Sequence, residues 1–66
     1  MGTSALNANY LSTDAKIELS IFLFSRGLYE NSADAILDIE ENRVELIEDE
    51  PDKVIIRIQG KKDWLI

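Results

Sequence analysis

The chain has 66 residues, 13 acidic and seven basic side chains for a net charge of −6, and an apolar share of 45 %. Cysteine and histidine are both absent, which excludes disulfides, thiolate nucleophiles, Cys/His zinc sites and histidine acid–base catalysis. The apolar share is too high for a disordered chain, and the acidic balance opposes binding to a phosphate backbone.

A domain of this size buries only about 60 % of the surface its unfolded chain exposes. Such domains usually add disulfides, a metal or association, so the composition points to a homo-oligomer. No apolar run approaches the roughly 18 residues of a membrane span. Met1-Gly2-Thr3-Ser4 lacks the basic and apolar regions of a secretory signal. A myristoylation signal needs Ser or Thr at the sixth position, and Leu6 stands there. A cytoplasmic protein without membrane contact is the expectation.

Residues 1–11, MGTSALNANYL, are small and polar and read as a mobile arm. Residues 12–66 read as one small α+β domain. Ser12-Thr13-Asp14 marks a helix start, a hydroxyl cap with a carboxylate in the first turn. Leu11 before it suits a hydrophobic staple. The helix is predicted from Asp14 to Arg26, stopped by Gly27. At 100° per residue it is apolar on two sides: Ile17, Ile21, Phe24 and Leu28 on one, Leu19, Phe22 and Leu23 on the other. Two apolar sides require burial on two sides, and a chain this short has little material for both. Leu19, Phe22 and Leu23 are therefore the predicted dimer interface.

Asn31 or Ser32 caps a second predicted helix, Ala33 to Asn42, with Asp34 in its first turn. Ala33, Ile36, Leu37 and Ile39 form its apolar side. Asn42 suits a left-handed terminal position. A strand over 36–39 is the rival reading, disfavoured by the cap.

Val44 to Gln59, VELIEDEPDKVIIRIQ, reads as a β-hairpin. If paired residue numbers sum to 102, Val44 meets Ile58, Glu45 meets Arg57, Leu46 meets Ile56 and Ile47 meets Ile55. Every pair is then apolar with apolar or opposite in charge, whereas a one-residue slip puts each side chain on the wrong face. The loop is Asp49-Glu50-Pro51-Asp52-Lys53, built on a type I turn with Pro51 at its second position. One face carries Val44, Leu46, Val54, Ile56 and Ile58 and is the predicted core face. The other carries Glu45, Ile47, Glu48, Ile55, Arg57 and Gln59. Gly60 to Asp63 is a predicted turn, and Trp64-Leu65-Ile66 forms a short third strand or covers the helices. The fold class is α+β, two N-terminal helices on a C-terminal antiparallel hairpin.

Motifs for chemistry are missing. Ser25, Ser32 and Thr13 have no histidine to activate them, and the glycines are isolated rather than grouped around a phosphate. Glu48-Asp49-Glu50-Pro51-Asp52 concentrates carboxylates without the ligand spacing and central glycine of a calcium loop. A solvated turn that discourages edge pairing is expected there. Two helices before a hairpin also suggest a winged-helix nucleic-acid binder, but its recognition helix would be ADAILDIEEN and its wing tip EDEPDK, both repelled by phosphate.

The expected function is a non-enzymatic acidic interaction or regulatory protein of inhibitor or antitoxin type. It would act as a homodimer on a basic protein partner, without cofactor or metal, through Ile47, Glu48, Asp49, Glu50, Asp52 and Ile55. The alternatives are the winged-helix regulator and a carboxylate-based ligand or metal binder.

Overall fold

The hairpin stands in the register that its residues dictate. In the computed structural model, which describes residues 4–50, 53–61 and 63–65, β2 (Val44–Glu50) and β3 (Lys53–Ile58) run antiparallel. Val44 faces Ile58, Glu45 faces Arg57, Leu46 faces Ile56 and Ile47 faces Ile55. β2 runs further than expected, to Glu50 opposite Lys53, and the ladder shifts by one residue between Glu48 and Glu50. Asp49 is the extra residue on β2, as in a bulge. The turn expected at Pro51 and Asp52 lies outside the described residues.

Two further strands widen the hairpin into a four-stranded antiparallel sheet of order β1-β2-β3-β4. β4 (Trp64–Leu65) lies beside β3, with Trp64 opposite Ile56. The turn before it passes through Gly60 at φ 83°, a left-handed conformation suited to glycine. Ile66 lies outside the described residues.

β1 (Ser4–Asn7) corrects the reading of residues 1–11 as an arm apart from the domain. It pairs with the free edge of β2, Ala5 opposite Ile47 and Leu6 opposite Leu46. A 3-10 helix, Ala8–Tyr10, then turns the chain toward the helices, and Ala8 is fully buried. The Asn7 side chain accepts a hydrogen bond from Asn9 N at 2.8 Å and closes that turn. The physical reason is pairing rather than propensity. SALN has no β-branched or aromatic residue, but the unpaired edge of β2 offers a row of backbone donors and acceptors. Residues 1–3 lie outside the described residues.

α1 (Thr13–Ser25) and α2 (Ser32–Glu40) are each one or two residues displaced from the expected bounds. Ser12 Oγ accepts from Ala15 N at 3.2 Å and Asn31 Oδ1 accepts from Asp34 N at 2.8 Å, so both caps are side-chain caps. The strand alternative over 36–39 is not formed. Both helices end in the same motif. After α1, Gly27 at φ 78° donates to Phe24 O and Leu28 N to Leu23 O. After α2, Asn42 at φ 65° donates to Ile39 O and Arg43 N to Asp38 O. These paired bonds satisfy carbonyls that a helix end otherwise leaves open.

The core joins Ala8, Leu23, Ala35, Ile39, Val44, Ile56 and Ile58. The hairpin face predicted as apolar thus meets α1, α2 and the 3-10 turn. Ser20 is also fully buried, and its hydroxyl donates to Ile17 O at 2.6 Å. Leu11 packs against the core in place of the expected staple; the fourth position of α1 is Lys16, whose Nζ donates to Asn9 Oδ1 at 3.2 Å.

Candidate interaction surfaces

The two apolar stripes of α1 have different fates, and the assignment reverses the expected one. Leu23 is fully buried and Leu19 and Phe22 pack against the core, so the predicted dimer interface lies inside a single chain. Leu28, expected with the other stripe, also packs inward. Helical periodicity separates the stripes but cannot rank them; the partners do. Phe22 meets the Trp64 ring edge to face, with centroids 5.4 Å apart and planes at 77°, a favoured aromatic geometry. The Arg26 guanidinium lies over both rings, 5.1 Å from Phe22 and 5.6 Å from Trp64.

Ile17, Ile21 and Phe24 are left on the outside, exposed by 43 %, 54 % and 46 %. Their flank carries Asp14, Glu18 and Ser25, all exposed. Ile17 also borders a groove of about 240 Å³ between the helices, with Thr13, Lys16, Ile36 and Glu40. On α2, Leu37 is 55 % exposed and points away from buried Ala35 and Ile39, with Asp34 and Glu40 on the same outward side. α2 contains no basic residue.

The sheet corrects the partner surface expected at the hairpin. Ile47 is only 8 % exposed and Ile55 is half-buried. Register places Ile47 between Ala5 and Ile55 within a row across the sheet, and cross-strand neighbours take up its surface. Glu48 is exposed as expected but faces Val54 across the ladder, so it shares the face of Leu46 rather than that of Ile47. There it lines an apolar groove of about 230 Å³ with Leu6, Leu46 and Val54. Asp52 and the side chains of Asp49 and Glu50 lie outside the described residues. The groove was not foreseen because Leu6, which closes one side of it, is brought there by β1.

A polar cluster ties the α1–α2 connection to the start of β2. Tyr29 donates from its hydroxyl to Asp38 Oδ2 at 2.7 Å. Asp38 also lies 3.7 Å from Arg43, which reaches Glu41 at 3.5 Å, and Lys61 Nζ sits 5.1 Å from the Tyr29 ring centre. Burial pushes the Tyr29 phenol well above its usual range; the Asp38 hydrogen bond and charge push the same way, and Arg43 opposes them. The partners are all satisfied, so the cluster reads as a clamp.

No family model, curated protein or solved structure matches this chain. What its surfaces can do is therefore argued from their chemistry. Among the described residues, no three His, Cys, Asp or Glu side chains converge on a metal-sized site. No buried side-chain nitrogen or oxygen among them lacks a hydrogen-bond partner, so none is left aimed at a ligand. No helix among them is long and apolar enough to cross a membrane. The features left are apolar surfaces edged by carboxylates.

Proposed function

We propose that this chain is a non-enzymatic interaction protein that binds a basic, apolar surface of another protein through the outer side of α1. The observation that carries the proposal is the exposed stripe Ile17, Ile21 and Phe24 beside Asp14 and Glu18. Exposed apolar groups rimmed by charge are a usual composition for a protein contact. The exposed flank with Asp14 and Glu18 is acidic, which favours a partner rich in Lys and Arg and speeds its approach. The same flank disfavours a second copy at this stripe, because two-fold pairing of α1 with itself brings two copies of a net negative helix together.

The test compares proteins retained by the immobilised chain and by its Ile21→Asp variant, at low salt and at about 0.5 M salt, where exposed charges are screened. The proposal predicts a basic protein held by the wild type at low salt, released by salt and not held by the variant. Identical retention by both chains overturns it. Direct titration of the retained protein, with Phe24→Ala as a milder variant, then measures the contribution of the stripe.

A further inference from the structure

The outer edge of β1 is open among the described residues and differs in charge from the rest of the surface. β1 and β4 close the two ends of the sheet. β4 has two residues and follows Lys61-Lys62-Asp63, so its edge is short and guarded by charge, a common protection against strand addition. β1 has four residues, Ser4-Ala5-Leu6-Asn7, and no charge. It has neither proline nor a ladder irregularity against β2. Leu6, the large apolar side chain of this strand, is 44 % exposed and lines the groove with Leu46 and Val54.

We infer that β1 pairs antiparallel with β1 of a second copy of this chain, joining two four-stranded sheets into one. In a two-fold interface the element at the axis meets its own copy, so any net charge on that element repels its twin. α1 carries Asp14, Lys16 and Glu18, α2 carries three acids and no base, and β2 ends in Glu48-Asp49-Glu50. Among the described strands and α-helices longer than two residues, β1 alone is uncharged, and in a chain of net charge −6 that neutrality is what self-pairing requires. A two-fold axis at Ala5 or Leu6 keeps the groove faces of both sheets on the same side, since opposed residues on antiparallel strands point to one face. The pairing satisfies backbone groups on both edges and draws the two Leu6 side chains together. It also provides association, which a domain too small for a large core commonly uses. This inference is independent of the contact proposed for α1.

Sedimentation of the full chain at micromolar to about 100 µM concentration tests the inference, a range in which an affinity of ~1 µM is resolved. The expected result is twice 7.5 kDa for the wild type. Leu6→Glu sets like charges at the seam and is expected to sediment as a monomer with an unchanged circular dichroism spectrum. Ile21→Asp is expected to remain a dimer. Because the chain has no cysteine, single cysteines report the axis directly: Ala5→Cys or Leu6→Cys should form a disulfide-linked dimer on mild oxidation, and Ile21→Cys should not. A monomeric wild type overturns the inference, as does a dimer that survives Leu6→Glu or cross-links through Ile21→Cys. If Leu6→Glu unfolds, the cysteine pairs decide alone.

Discussion

Tyr29 and Asp38 are nine positions apart and joined by a 2.7 Å hydrogen bond from phenol to carboxylate. The bond ties the chain between the helices to the last turn of α2, where Asp38 also holds Arg43. Removing the hydroxyl in Tyr29→Phe should lower stability by about 1–2 kcal/mol, the usual range for a bond to a charged group that keeps another partner. Urea denaturation at neutral pH measures it.

The same pair sets an alkaline limit. The Tyr29 phenol is held above its ordinary value of 10.0 in the folded chain, chiefly by burial. The folded state therefore keeps its proton more tightly than the unfolded state. The contribution is full below pH 10 and is lost as pH rises through the higher folded value, because the unfolded phenol ionises first. Wild type minus Tyr29→Phe stability should be flat to about pH 9.5 and shrink above pH 10. A difference that grows with pH would contradict the assignment.

The inward and outward stripes of α1 should separate in stability measurements. Leu23→Ala empties a fully buried site and should cost about 2–5 kcal/mol, close to the whole stability expected of so small a domain. Ile21→Ala, at 54 % exposure, should change stability by less than about 0.5 kcal/mol. Thermal melts of the two variants test the reversal of the two stripes.

The paired helix ends differ in one respect. Gly27 and Asn42 both adopt positive φ, but only glycine does so without cost. A methyl group at Gly27 would meet nothing within 4 Å, so Gly27→Ala should cost about 1 kcal/mol from backbone strain alone. Asn42→Gly should be neutral or stabilising by a few tenths of a kcal/mol, roughly the advantage of glycine over asparagine there. Chemical denaturation of both variants gives the comparison.

Phe22 and Trp64 dock β4 onto α1. A double-mutant cycle with Phe22→Leu and Trp64→Leu should return a coupling of about 0.5–1.5 kcal/mol for the edge-to-face pair. Trp64 is the only tryptophan, so its fluorescence should shift to the red in Phe22→Leu as the indole gains water. An unchanged spectrum would place the indole elsewhere.

Local patterns in the chain determine its ladder and its helix ends. The β2–β3 register follows from side-chain alternation, because a slip of one residue opposes Glu45 to Ile58 and Leu46 to Arg57. The helix boundaries follow from Ser12, Asn31, Gly27 and Asn42, whose side chains or positive φ satisfy terminal backbone groups nearby. Tertiary structure decides what depends on distant partners. Ser4–Asn7 becomes a strand because the open edge of β2 accepts it, not because its residues favour one. Leu23 goes inside and Ile21 outside because Trp64 and the β3 face stand on one side of α1. Ile47, apolar on the outer face, loses its surface to Ala5 and Ile55. The contacts that decide these cases, Ser4–Asn7 with β2, Phe22 with Trp64 and Ala5 with Ile47, span tens of residues of chain, and no local period carries that information.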